Sequence, residues 1–228
     1  MRLNRISFIG MFAMFFVSVI APIVNAQTSA KDHFDKGNMF YERRDFDTAV
    51  LEYSDAISLN PNFVSAYFNR GNAYYGKKDY DRAIADYTQT IRISPNSVSA
   101  YFNRGNAYYG KKDYDRAIAD YTQTIRINPD SASAYFNRGN AYYGKNDYDR
   151  AIDDYTLTIK LNPDFTSVYV NRGWAYNRKG DTAGAEADWA KYRELTAVIK
   201  KDNTQSVCGP FSNKTDGEKE RMSEYHEK

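Results

Sequence analysis

The sequence predicts an all-α protein built as a solenoid of five helix–turn–helix units. Three observations carry that expectation. Residues 64–93 read VSAYFNRGNAYYGKKDYDRAIADYTQTIRI, and residues 98–127 repeat them letter for letter. Single residue types recur every 34 positions: Gly37, Gly71, Gly105, Gly139 and Gly173; Ala49, Ala83, Ala117, Ala151 and Ala185; Pro61, Pro95, Pro129 and Pro163. Within each period, apolar residues fall twice at helical spacing around a short polar break. A fixed 34-residue period marks stacked helix pairs, because one pair cannot bury its apolar face alone. The units are 30–63, 64–97, 98–131, 132–165 and 166–199. The second and third differ only at Ser94/Asn128 and Asn96/Asp130, so they count as one witness.

Before the units, Arg2 and Arg5 precede an uncharged apolar run from Ile6 to Val24, then Val24-Asn25-Ala26. Small residues at that spacing make residues 1–26 a signal peptide cleaved after Ala26. The alternative is an uncleaved anchor, since the run is nearly long enough to span a bilayer. The reading is therefore an exported protein, periplasmic or secreted, that meets a membrane only if the leader stays. Removing Arg2 and Arg5 balances the remaining basic and acidic residues, which argues against nucleic acid as partner.

In the second unit, Tyr67, Gly71 and Tyr74 share one helical face and read as core. Gly76-Lys77-Lys78-Asp79 breaks the helix, and Asp79 can cap the next one. Tyr80, Ala83, Ile84, Tyr87 and Ile91 follow at i, i+3, i+4, i+7 and i+11. Pro95 stops the second helix. Gly71 and Ala83 are small, so the two helices can approach closely. In the fifth unit Ala197 stands in the proline's place and Trp189 in the place of Tyr87. Its second helix is expected to run past Ala197 as a cap. From Lys200 the chain turns polar, Gly209-Pro210 breaks any helix, and residues 200–228 read as a flexible tail with a short helix near Glu218–Tyr225. Cys208 is the only cysteine, so no internal disulfide forms. Asn213-Lys214-Thr215 would accept a glycan in a eukaryotic secretory pathway.

The pattern Tyr67, Gly71, Tyr74, Ala83, Tyr87, Pro95, repeated in register over residues 30–199, resembles the tetratricopeptide repeat. That resemblance implies a right-handed superhelix whose first helices line a concave groove for a peptide or protein. The chain departs from the family where Leu is usual: Lys36, Arg70, Arg104, Arg138 and Arg172 stand there. Sixteen residues on stand Glu52, Asp86, Asp120, Asp154 and Asp188. Every unit keeps a cation and then an anion, which reads as an ion pair between its two helices.

On a helical wheel Ser65, Asn69, Asn72 and Gly76 cluster opposite the core face. Stacking places Asn69, Asn103, Asn137 and Asn171 in one row, and Asn38, Asn72, Asn106 and Asn140 in a second. Phe68, Phe102 and Phe136, with Tyr41, Tyr75, Tyr109 and Tyr143, flank them. Amides offer both donors and acceptors, and an extended peptide alternates the two. These rows with their aromatics are thus the candidate groove. The bland reading is a solvated Asn stripe. An Asn in the place of Asn69 is similar to the family's groove asparagines. Phe68 and the asparagines occupy the places of the family's carboxylate clamp, so a clamp for C-terminal carboxylates is not expected. Lys31 and Asp35 in the first unit and Trp174 in the fifth break the uniform rows.

Gly71-Asn-Ala-Tyr-Tyr-Gly76-Lys77-Lys78 nearly matches a phosphate-binding loop, but it lies inside a helix and Lys78 replaces the hydroxyl. His33 stands in the place of Tyr67 and reads as packing; His226 lies in the tail. No metal or nucleophile motif appears. The expectation is a non-catalytic adaptor with no cofactor, no metal and no small-molecule substrate, which binds an extended segment of another protein. The alternatives are a structural or self-associating scaffold, and a cell-wall or carbohydrate binder using the Tyr-rich surface. Oligomeric state stays open.

Overall fold

The computed structural model describes residues 29–205, with side chains through Ala197. Residues 1–28, with the expected signal peptide, and residues 206–228, with Cys208, His226 and the helix expected near Tyr225, lie outside the described residues. Among the described residues ten helices follow in order, with no strand. Helix α1 spans 29–42. The others are α2 (Phe46–Leu59), α3 (Val64–Gly76), α4 (Tyr80–Ile93), α5 (Val98–Gly110), α6 (Tyr114–Ile127), α7 (Ala132–Gly144), α8 (Tyr148–Leu161), α9 (Thr166–Arg178) and α10 (Thr182–Gln205). No helix of the described residues is long and apolar enough to cross a membrane.

The turns obey one rule. Asp45, Asp79, Asp113 and Asp147 cap α2, α4, α6 and α8; each carboxylate accepts from the backbone N–H three residues on. Just before each cap the chain passes through the left-handed region: Arg44 (φ 62°), Lys78 (60°), Lys112 (60°), Asn146 (62°). That conformation lets Lys78 N–H reach the Tyr75 carbonyl at 2.8 Å and Asp79 N–H the Tyr74 carbonyl at 2.9 Å, closing α3. In the fifth unit the position holds Gly180 (φ 83°). The final helix has no proline stop and runs through Gln205, past Ala197 and into the segment assigned to the tail.

Each first helix packs on the second helix of its own unit, and each second helix on the first helix of the next. First helices of successive units also touch (α3 with α5, α5 with α7, α7 with α9), whereas the fully described second helices do not touch one another. First helices therefore line the inside of the curve.

The core is narrower than the wheel suggested. Ala66, Gly71 and Ala73 of α3 are buried, and so are Ala83, Tyr87 and Thr90 of α4; Tyr67 and Tyr74 are only half-buried. The reason is the Tyr87 ring. A Cβ on Gly71 would lie 2.8 Å from Tyr87 Cε1, so this ring fills the seam over Gly71, and Tyr74 packs at the edge of the cluster. Tyr67 and Tyr74 also lie beneath guanidinium groups, with Arg70 5.6 Å and Arg82 4.5 Å from the ring centroids.

The ion pair forms in units two to five. Arg70 Nε and Nη2 each donate to Asp86 at 2.8 Å, and Nη1 donates to Ser54 Oγ at 2.9 Å in the preceding unit. Arg104, Arg138 and Arg172 repeat this with Asp120, Asp154 and Asp188, reaching back to Thr88, Thr122 and Thr156. One side chain thus ties three helices. Burial pushes the Asp86 and Asp154 carboxyls up, and the facing guanidinium pulls them back down. The first unit differs from expectation. Glu52 pairs with His33 at 2.7 Å, while Lys36 stays exposed. A lysine lacks the planar fork that grips carboxylate and hydroxyl together. His33 is therefore a hydrogen-bond partner of Glu52 rather than packing.

Candidate functional site

The first helices present one polar stripe to the inside of the curve. In α3 it holds Ser65, Phe68, Asn69, Asn72 and Tyr75; Ser65 and Tyr75 are exposed, and Phe68, Asn69 and Asn72 half-buried. The two Asn rows are not independent. Asn69 Nδ2 donates to Asn38 Oδ1 at 2.8 Å, Asn103 to Asn72 at 2.9 Å, Asn137 to Asn106 at 2.9 Å, and Asn171 to Asn140 at 2.8 Å. These bonds zip the first helices of neighbouring units together. Each accepting carbonyl also receives a buried phenol at 2.8 Å: Tyr53 on Asn38, Tyr87 on Asn72, Tyr121 on Asn106 and Tyr155 on Asn140. Burial pushes the Tyr53 phenol up to about 12. It raises those of Tyr87, Tyr121 and Tyr155 further, so each remains a donor.

This leaves an unequal set of free groups. The carbonyls of Asn38, Asn72, Asn106 and Asn140 each hold two hydrogen bonds and are saturated. Among the described residues nothing takes their amide N–H groups, which stay free for a ligand. Sequence reasoning placed both rows but missed the phenols. In an array of copies every pair of positions keeps a fixed spacing, so the spacing of Asn72 and Tyr87 carries no special signal.

The aromatics divide into two sets. Phe68, Phe102 and Phe136 lean on the core rings, each with its centroid 5.9 Å from Tyr87, Tyr121 or Tyr155. Tyr75 and Tyr109 remain 38 % exposed, and Tyr143 is half-buried. Each stands about 5.5 Å from the first ring of the next helix, Tyr80, Tyr114 or Tyr148. The ring of Tyr80 in turn lies over Gly110: a Cβ there would sit 2.7 Å from Tyr80 Cζ. Both glycines of the apparent phosphate loop thus seat rings, and Lys77 is taken by Asp47. At the far end Trp174, 40 % exposed, meets Trp189 edge-on at 5.2 Å. Lys31 and Asp35, which interrupt the rows in α1, pair with each other at 2.8 Å.

Among the described residues one group offers three ligand atoms of metal-binding type within 4.8 Å: His33, Glu52 and Asp55. An ion held by His33 and Glu52 at about 2 Å each would spread them to about 3 Å or more. Their 2.7 Å contact leaves no place between these two atoms, and this hydrogen bond stands where the arginine clip stands in the other units.

Models of the TPR repeat match residues 37–78, 71–112 and 105–146, and the tetratricopeptide repeat model matches 132–165. The chain belongs to the tetratricopeptide repeat family. No curated protein matches it. Solved structures share the fold. The crystal structure of MamA protein is 24 % identical, with TM-score 0.71 over 81 % of this chain and 98 % of that one. MamA residues 41 to the end from Desulfovibrio magneticus RS-1 are 22 % identical, with TM-score 0.72 over 75 % and 96 %. YrrB, titled a TPR protein with an unusual peptide-binding site, is 18 % identical, with TM-score 0.63 over 72 % and 84 %. The right-handed solenoid of five tetratricopeptide units is thus the fold, and in this TPR chain the inner stripe lies on the first helices.

Proposed function

We propose that this TPR protein is a non-catalytic adaptor that holds an extended segment of another protein along its inner stripe. The observation that carries the reading is the row of amide donors at Asn72, Asn106 and Asn140. Their carbonyls are locked by Tyr87, Tyr121 and Tyr155, so the donors are held in place before a ligand arrives. Pre-organised donors lose little side-chain freedom on binding. The exposed rings of Tyr75, Tyr109 and Trp174 add apolar contact beside them. Binding of this kind needs no cofactor and no reacting group. We further propose that residues 1–26 direct export and that the partner is met in the exported compartment.

A photo-cross-linking residue at Ser99, exposed on the stripe, tests the groove against one at Ala85, exposed on α4. A defined protein product from Ser99 alone, mapped to one segment of that protein, is the expected result. Equal products from both positions, or self-adducts only, would move the scaffold reading ahead.

A further inference from the structure

The free groups along the stripe are lopsided, and the imbalance specifies a ligand. In each middle unit the second-row asparagine (Asn72, Asn106 or Asn140) keeps two N–H donors and no free carbonyl lone pair. The first-row asparagine (Asn69, Asn103 or Asn137) has given one N–H to its neighbour and keeps at most one, with one carbonyl. The asparagine amides of each unit therefore offer two to three donors for one acceptor carbonyl, and hydroxyls such as Ser65 and Tyr75, which both donate and accept, leave that sign unchanged. An ordinary extended segment presents as many N–H groups as C=O groups, and its N–H groups would face donors. A segment rich in proline does not have that problem, because proline has a carbonyl and no N–H.

The spacing points the same way. Proline-rich chains form the polyproline II helix, with three residues per turn, a rise of about 3.1 Å per residue and no internal hydrogen bonds. One turn thus spans about 9 Å and presents three free carbonyls. First helices of successive units touch, and touching helices lie roughly 8–10 Å apart. One turn of polyproline II therefore matches one unit of the array. Tyr75 lies one helical turn beyond Asn72, and Tyr109 and Tyr143 stand likewise beyond Asn106 and Asn140, so an aromatic ring accompanies each donor pair at the same interval. Aromatic faces are what proline rings pack against in grooves that read this helix.

We infer that the inner stripe is a receptor for a proline-rich segment in the polyproline II conformation, one turn per unit. The inference rests on the groove reading proposed above and names its ligand class. It assigns the donors of Asn72, Asn106 and Asn140 to backbone carbonyls spaced one turn apart, and Tyr75, Tyr109 and Tyr143 to the proline rings between them.

The test is fluorescence anisotropy of two labelled peptides, each about 12 residues long, about four turns. One is proline throughout; the other has no proline and consists of Ala, Ser and Thr. The full chain is titrated against both. The proline peptide is expected to bind at least about tenfold tighter. Replacing Asn72→Asp, Asn106→Asp and Asn140→Asp keeps an oxygen for each phenol and each neighbouring amide but removes the donors. That variant is expected to lose about tenfold or more in affinity for the proline peptide, the equivalent of about 1.4 kcal/mol. The single Asn106→Asp variant gives a smaller loss in the same direction, and helical circular dichroism checks that each variant folds. Failure of the proline peptide to bind, equal binding of the proline-free peptide, or unchanged binding by the folded Asp variants would overturn the inference. The Ser99 cross-link does not depend on proline, so the groove reading survives or fails separately.

Discussion

The middle units and the end units of this solenoid are held together differently. In units two to four each arginine clips an aspartate of its own unit and a hydroxyl of the unit before. Each second-row asparagine joins a tyrosine of its own unit to an asparagine of the next. Each of these side chains thus bonds once within its unit and once to a neighbouring copy. In the first unit Glu52 is met by His33 within the same unit. In the fifth, Trp174 stands where an acceptor for a further asparagine would be, and its ring meets Trp189. Positions that meet a copy on both sides are therefore constrained by self-fit; at the ends Asn38 and Arg172 keep the inward-facing bonds, and Lys36 and Trp174 stand where the pattern is released. This is why a whole unit could be copied between residues 64 and 131 without a compensating change: the copy already matched both of its neighbours.

The sharpest way to break that contrast is to remove the anion at equivalent places. Asp120 is 5 % exposed and faces a half-buried arginine, whereas the side chains of His33 and Glu52 are 29 % and 21 % exposed. Asp120→Ala strands the Arg104 guanidinium and is expected to destabilise by about 3 kcal/mol. Glu52→Ala is expected to cost about 1 kcal/mol or less. Thermal melts of both variants check this, and equal losses would mean that the ends are built like the middle. A smaller effect distinguishes the turns. Lys112 sits at φ 60° where the fifth unit has Gly180. Left-handed backbone costs an ordinary residue about 1–2 kcal/mol, partly offset by glycine's greater freedom when unfolded. Lys112→Gly should therefore stabilise by about 0.5 kcal/mol, seen as a raised melting temperature, while Gly180→Ala should lower it.

The smallest expected effect is on pH dependence. The carboxyls of Asp79, Asp113 and Asp147 are held below the usual range, chiefly by hydrogen bonds from Arg82, Arg116 and Arg150. A carboxyl whose pKa is lowered by folding contributes stability above its unfolded value, about 3.9, and loses that contribution as pH falls through the folded value. The buried Asp86 and Asp154 are shifted up and act in the opposite sense. Asp79→Asn, Asp113→Asn and Asp147→Asn keep the caps, because asparagine also caps well, and leave the buried pairs untouched. Urea unfolding between pH 5 and pH 2.5 should show a shallower acid loss for this variant than for the parent chain. An unchanged slope would show that the caps act only as hydrogen-bond acceptors.

Much of this was readable beforehand. The period fixed the unit, the number of copies and the two helices of each, and Asp79, Pro95 and Ala197 announced a start, a stop and a missing stop. Sixteen-residue spacing with constant opposite charge named the ion pair in every unit where the cation is arginine. What was not readable shares one cause. The third partner of Arg70, the buried phenols behind Asn72, and the exchange of Lys36 for His33 all depend on how far one helix stands from another. In a repeated sequence every spacing is invariant, so invariance cannot single out a contact. The same limit explains the core. Periodicity assigned Tyr67 and Tyr74 to it by side-chain character; in the second unit a ring from the second helix fills the gap over Gly71, Tyr74 packs at the edge of the core and Tyr67 is half-buried, whereas in the fifth unit Tyr169, in the place of Tyr67, is buried.

The sequence by itself determined the repeat, the helix pairs, the polar stripe and the places where the pattern ends, because these are properties of order along the chain. Only the tertiary structure decided which amide groups remain free along the stripe. A hydrogen-bond acceptor is consumed by whatever donor lies within about 3 Å, and that distance is set by the packing of three helices around one tyrosine ring.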